Sequence, residues 1–136
     1  MSEFALKIVT PDGLVYDGMA EQLTVRSTTG DIGILAGHIN CVAPLGMGRA
    51  TVVIDGQKRY AACIGGMLSV VNGEVTLVPT TFEWADAIDL DRAQAAYDRA
   101  QNTISSKNAT DTDIRMAEAR LKRALIRKSV ASSYRR

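Results

Sequence analysis

Glycine and proline stop abruptly along this chain. All eleven glycines and all three prolines of its 136 residues lie at or before Pro79. In a helix interior glycine costs roughly 1 kcal/mol and proline roughly 3 kcal/mol relative to alanine. Both residues therefore punctuate turns and short strands and are kept out of long helices. The first part of the chain must turn often, while the stretch from Ala85 onward is free to run as uninterrupted helix.

The punctuated part reads as β-structure. FALKIVT (4–10) and QLTVRS (22–27) alternate large apolar residues with others, as half-buried strands do. Pro11-Asp12-Gly13 marks a turn, and Gly30, Gly33 and Gly37 punctuate the segment that follows. ATVVI (50–54) and KRYAACI (58–64) flank Asp55-Gly56; MLSVV (67–71) and EVTLV (74–78) flank Asn72-Gly73. Both dipeptides accept the positive φ angles of a two-residue hairpin. Gly65-Gly66, just before a strand, predicts a bulge or a close backbone approach. Many short strands at this spacing suggest a β-sandwich or flattened barrel.

The unpunctuated part carries two apolar stripes at helical spacing. Leu90, Ala93, Tyr97, Ala100 and Ile104 form one, and Ile114, Ala117, Leu121, Ala124 and, more weakly, Lys128 form the other. Asp89 suits the N-cap of the first helix, with Asp91 near its positive end. SSKNATDTD (105–113) breaks the periodicity, and Thr112 or Asp113 is placed to cap the second helix. Two helices of about four to five turns each are expected. The fold class is therefore α+β by segments: an N-terminal antiparallel β-sandwich over 1–84, then a C-terminal antiparallel two-helix hairpin over 85–136. Because the stripes are rich in alanine, the hairpin is expected to be weakly held.

Charge is near balance overall but unevenly placed. Residues 1–88 carry five basic and nine acidic side chains, whereas 115–136 carry eight basic and one acidic. The basic end points to an acidic counterpart. Arg115, Lys122, Arg123, Arg127, Lys128, Arg135 and Arg136 fit a solvated face, a nucleic-acid patch or a docking surface for an acidic protein. Nucleic-acid binders usually add aromatic residues or a recognition motif. Tyr134 is the only aromatic here, so nucleic acid is not an expected partner.

Catalytic signals are missing. There is no phosphate-binding loop, dinucleotide fingerprint, nucleophile elbow or paired-histidine zinc motif. His38 is the sole histidine, and Cys41 and Cys63 are far apart, which predicts buried reduced thiols and no metal. The start, MSEFALKIV, has no basic leader, and no apolar run approaches the roughly 18 residues of a membrane span. A cytosolic, non-enzymatic chain is expected. One constellation stands out. Arg92 and Arg99 share a face of the first helix, and Arg123 and Arg127 share a face of the second. In a folded hairpin these four arginines could surround an anion such as a polyphosphate, or could instead pair with Asp91 and Asp98.

The order TPDGLVYDG, TGDIGILAGH, CIGGMLSVVNGEVTLV and IDLDRAQAA resembles the epsilon subunits of F-type ATP synthases, whose mitochondrial counterpart is called delta. The likeness covers essentially the whole chain and implies the same sandwich and hairpin. It implies a non-catalytic rotor role in the central stalk, with the gamma subunit and c-ring bound by the sandwich. The hairpin would fold back or extend toward the alpha and beta subunits to inhibit hydrolysis. In some bacterial members the folded hairpin binds ATP as a regulatory ligand, and no cofactor is required. Carried across by position, that site would comprise Glu83, Ile88, Asp89, Arg92, Ala93, Arg99, Arg123 and Arg127. Asp31 and His38 would face the rotor ring, and Arg115, Lys122, Arg123, Arg127 and Lys128 the beta subunit. Asp91, beside the motif arginine, is positioned to pair with Arg92 and compete with a nucleotide. The implied location is peripheral, on the cytoplasmic face of the bacterial inner membrane, without membrane insertion. From the residues alone the alternative is a free-standing adaptor whose basic helical arm binds an acidic protein or RNA.

Overall fold

In the computed structural model, which describes residues 2–134, the chain forms two compact units that meet in sequence between Trp84 and Ala85. The first unit contains ten strands: β1 (Phe4–Thr10), β2 (Gly13–Ala20), β3 (Gln22–Ser27), β4 (Gly30–Ile34), β5 (Cys41–Pro44), β6 (Met47–Ile54), β7 (Gln57–Ile64), β8 (Met67–Val71), β9 (Glu74–Val78) and β10 (Thr81–Trp84). They pair as two five-stranded sheets, in the orders β2-β1-β9-β8-β5 and β10-β7-β6-β3-β4.

The alternation seen in the sequence sends one side of each strand inward. Leu6, Ile8, Leu68, Val70, Val75 and Leu77 from one sheet share a core with Leu23, Val25, Ile34, Val52, Cys63 and Phe82 from the other. Both two-residue turns form as expected. Asp55 and Gly56 take φ of 51° and 75°, and Asn72 and Gly73 take 51° and 82°. They set the registers Ile54↔Gln57 and Val71↔Glu74. At Gly66, φ is +101°, and an added Cβ would run into the Val78 carbonyl and the Pro79 backbone. The double glycine marks a close backbone approach, since no other residue lets β8 start there.

The sandwich differs from the sequence expectation in three respects. The sheets are not wholly antiparallel: β1 pairs in parallel with β9, with Leu6 opposite Val75. Four strands, β2, β4, β5 and β10, appear where glycine, proline or short length hid the alternation. Cys63 is buried, but Cys41 is partly exposed, so only one thiol is sequestered.

The second unit opens with a 3₁₀ turn at Ala85–Ala87, followed by α1 (Leu90–Ser105) and α2 (Asp111–Tyr134). Asp89 caps α1: its Oδ1 accepts from the Arg92 N–H at 3.0 Å. The cap of α2 is Thr110 rather than Thr112 or Asp113. Thr110 Oγ1 accepts from the Asp113 N–H, and an Asp113 carboxylate oxygen accepts from the Thr110 N–H, each at 3.1 Å. This reciprocal box starts the helix inside the polar segment, which leaves a linker of residues 106–110 and makes α2, at 24 residues, longer than expected. Ala93, Ala100, Ala117 and Ala124 are buried along the helices, and Tyr97 on α1 meets Lys128 on α2, as an antiparallel pair requires.

Candidate functional site

The helical unit holds a cleft of about 460 Å³. Arg99 reaches it from α1, and Arg120, Arg123 and Arg127 from α2, while Ala96, Ala100 and Thr103 form the rest of its lining. The geometry follows from helical spacing. Positions 120, 123 and 127 are related by three and four residues and lie on one face of α2. The alanines on α1 let the two backbones approach while leaving room above them for long side chains. The volume lies within the roughly 300–1,000 Å³ typical of small-molecule sites. Its lining is cationic rather than apolar, which suits an anion.

Asp91 and Asp98, the carboxylates placed to pair with these arginines, do not. Among the described residues Arg92, Arg99, Arg120 and Arg123 form no ion pair. Asp98 accepts instead from Gln94 Nε2 at 3.0 Å, and Asp91 does not pair with Arg92. The guanidinium groups of Arg99, Arg120 and Arg123, facing one space, repel one another, and an anion between them relieves that repulsion. Planar forks that match phosphate oxygens make a phosphorylated ligand the natural occupant.

Only part of the set carried over from the sequence comes together here. Arg99, Arg123 and Arg127 line the cleft, and Arg92 does not. Arg92 is exposed and lies two turns before Arg99, roughly 10 Å along the helix axis. The expected convergence of four arginines therefore takes place with Arg120 in place of Arg92. Ile88 and Ala93 are 2% and 4% exposed and act as packing positions; Asp89 is occupied as the cap. Glu83 belongs to β10 of the sandwich and is half-buried. Arg120 stands three residues before Arg123, a spacing that puts it on the same face, whereas the four-residue pair Arg123 and Arg127 alone does not include it.

The basic residues of α2 also divide. Arg115 and Lys122 are exposed and seven apart, so they share a face. At about 100° per residue, Arg123 lies a quarter-turn or more around the helix, and Arg120 and Arg127 lie nearly opposite. Arg123, Arg127 and Lys128 are half-buried, with the Lys128 ammonium 4.4 Å from the Tyr97 ring centre. Arg135 and Arg136 lie outside the described residues.

In the sandwich, Asp31 starts the outer run of β4 and meets Arg26 Nε at 3.7 Å, an exposed pair of little energetic weight. His38 closes a turn: its N–H donates to the Leu35 carbonyl at 3.2 Å, and its Nδ1 donates to the Ile39 carbonyl at 2.8 Å. Around it Leu35, Ile39 and Val42 are 59%, 77% and 65% exposed. Asn40 ties this loop to the β8–β9 turn, its Oδ1 accepting from the Asn72 N–H at 2.8 Å. The result is an apolar surface on an anchored loop, the kind of patch that marks a protein contact. Among the described residues no group of histidine, cysteine and carboxylates could hold a metal, and no helix is long and apolar enough to cross a membrane.

A β-sandwich followed by a helical hairpin with an arginine-lined cleft defines a two-unit α+β protein. The chain belongs to the ATP synthase delta/epsilon chain family. The family's beta-sandwich domain matches residues 3–85, and its long alpha-helix domain matches residues 86–132. The ATP synthase epsilon chain of Bacillus velezensis is 46% identical over 133 residues, covering 98% of this chain and all of the relative. That of Bacillus subtilis is 47% identical over 115 residues, covering 85% and 86% of the two chains. A chain in the Euglena gracilis mitochondrial ATP synthase has the same fold, with a TM-score of 0.81 at 21% identity over 98% of this chain and 82% of its own.

Proposed function

We propose that the chain is a non-catalytic central-stalk subunit of a proton-translocating F-type ATP synthase. In this reading residues 1–84 bind the gamma subunit and the c-ring, with Asp31, His38 and the exposed apolar loop around them on the ring side. Residues 85–136 regulate ATP hydrolysis by folding back or by extending toward the alpha and beta subunits. The complex places the chain peripherally on the cytoplasmic face of a bacterial inner membrane, and no cofactor is needed for its role. Family membership across both units is the observation that carries the reading.

The energetics of the hairpin support a two-state regulator. Its seam includes four buried alanines, whose methyl groups contribute only about 0.8 kcal/mol each, with Val130 and Ala131 buried toward the end of α2. A ligand present at a hundred times its Kd adds about 2.7 kcal/mol to the state that binds it. In this reading ATP held in the arginine cleft shifts the balance toward the folded hairpin by that amount. The same choice governs the basic face. Arg123, Arg127 and Lys128 are half-covered in the hairpin and become available to an acidic surface of the beta subunit when it opens.

The deciding experiment is ATP hydrolysis by the assembled synthase with the whole chain and with residues 88–136 removed. Faster hydrolysis by the truncated form is expected. Unchanged hydrolysis would remove the inhibitory role and leave the coupling role standing, whereas failure to recover gamma or c subunits with the chain would remove the rotor role itself.

A further inference from the structure

The strand that meets the helical unit is weakly secured by its hydrogen bonds. β10 has four residues and, at the edge of its sheet, only β7 beside it. Its final residue, Trp84, is joined directly to Ala85, the first residue of the helical unit. Any rearrangement of that unit pulls on the chain at Trp84 first. A short edge strand peels readily from a sheet, because few hydrogen bonds on one side resist it.

Side chains supply what the pairing lacks. Trp84 stands opposite Ala61 of β7, a residue too small to cover it. Arg59, two residues before Ala61, shares that face and reaches Trp84 along the diagonal between the strands. Its guanidinium carbon lies 3.8 Å from the centre of the Trp84 ring. Phe82, which is 8% exposed and part of the core, meets the same ring at 90°, with centroids 5.0 Å apart. A stack of three side chains therefore runs from exposed Arg59 through Trp84 into the core. Both aromatic residues belong to β10 and the arginine to β7, so the guanidinium crosses the one seam that holds the strand. Among the described residues Arg59 forms no ion pair, so no carboxylate draws it off the ring.

We propose that the Arg59–Trp84 stack is a fastening that keeps β10 on the sandwich when the helical unit moves, and so confines the motion to residues after Trp84. Arg59 is then a positioning residue, and its role is independent of what drives the motion and of any ligand. The cation supplies an attraction to the indole face that a neutral side chain of similar length lacks.

The test is hydrogen–deuterium exchange of the full chain for the parent, Arg59→Gln, Ala124→Gly and the double variant. Ala124 is 1% exposed inside α2, and glycine there weakens the helix itself. Arg59→Gln is expected to speed exchange in β10 roughly three- to tenfold and to leave β8 and β9 unchanged. Ala124→Gly is expected to speed exchange in α1 and α2 only. In the double variant β10 should exchange about threefold faster again than in Arg59→Gln, because loosening of the helical unit then reaches the strand. Unchanged β10 exchange in Arg59→Gln would overturn the fastening. A double variant no faster at β10 than Arg59→Gln would overturn the confinement. Trp84→Leu keeps an apolar side chain and removes the ring, and Arg59→Gln should add nothing in that background. The same increase with and without the ring would show that Arg59 acts elsewhere. Arg59 is exposed, so the circular dichroism of Arg59→Gln should match that of the parent.

Discussion

The Lys128 ammonium lies 4.4 Å from the centre of the Tyr97 ring, and this contact joins α2 to the middle of α1. A residue expected on charge grounds to face a partner is thus engaged inside the helical unit. Lys128 must leave Tyr97 before it can meet an acidic surface. An exposed cation–π contact is worth about 0.5–1 kcal/mol. Tyr97→Leu keeps the apolar packing and removes that attraction. Backbone amides of α1 and α2 should then exchange roughly two- to fivefold faster with deuterium, while those of β6 and β7 are unchanged. Equal protection in both proteins would show that the contact does not hold the hairpin.

Arg123 stands between Arg120 and Arg127 in the cleft. ATP at millimolar concentration should raise the melting temperature of the helical unit, and Arg123→Ala should abolish most of the rise. A rise that survives in Arg123→Ala would place the nucleotide somewhere other than this cleft.

The Thr110–Asp113 box fixes where α2 begins. Thr110→Ala should cost about 1 kcal/mol of helix stability, the usual worth of a cap. Thr112→Ala, one residue inside the helix, should cost almost nothing. Nuclear magnetic resonance of the first turn of α2 distinguishes the two: fraying confined to Thr110→Ala is the expected result.

Gly66 is the position in the sandwich least able to carry a side chain. Gly66→Ala combines a φ of +101° with a collision against the Val78 and Pro79 backbone. A loss of about 3 kcal/mol or more is expected, which is in the range of severe backbone strain and overpacking. Gly33→Ala, where an added methyl meets nothing within 4 Å, is the control and should stay within about 0.5 kcal/mol. Trp84, the only tryptophan, reports the sandwich in urea titrations of both.

Burial pushes the Cys63 thiol from an ordinary 9.0 up to about 12. In the unfolded chain the thiol loses its proton near the ordinary value, while the folded chain keeps it. The unfolded state therefore binds fewer protons between about pH 9 and pH 12, and stability falls there by up to about 1.4 kcal/mol per pH unit. Below pH 9 the contribution is fully present. From pH 8 to pH 10.5 the parent should lose about 2 kcal/mol that Cys63→Ala does not lose, read as the difference between their urea midpoints. Parallel losses would show that the thiol is not the group responsible.

Local chemistry was legible, and pairing at a distance was not. Asp55-Gly56 and Asn72-Gly73 announced their hairpins because only a few residues tolerate those φ angles. FALKIVT announced a strand because one of its faces is buried. Nothing within FALKIVT says that its neighbour is β9, seventy residues away, in parallel. GLVYDGMA and CVAP escaped notice because glycine and proline argue against strands in general, although a two-sheet sandwich accommodates them near its edges. The start of α2 was misplaced for a related reason. Threonine and aspartate disfavour a helix interior, yet the same hydroxyl and carboxylate begin a helix when they fall at its first turn. At the cleft, Arg99, Arg123 and Arg127 were visible from helical spacing, whereas the exclusion of Arg92 depended on where along the seam the helices leave space.

The parallel pairing of β1 with β9 also sets an order of events for a chain emerging from the ribosome. The first strand made has β2 on one side and must wait for nearly the last strand of the sandwich to fill the other, so the sheet is completed only after β9 has been made. Every strand of both sheets has been synthesised by Trp84, before the hairpin exists. The hairpin then forms from neighbours in sequence and can form and dissolve again without breaking a single strand-to-strand hydrogen bond. The chain is thereby divided at a point where change in the helical unit leaves the strand pairing of the sandwich intact.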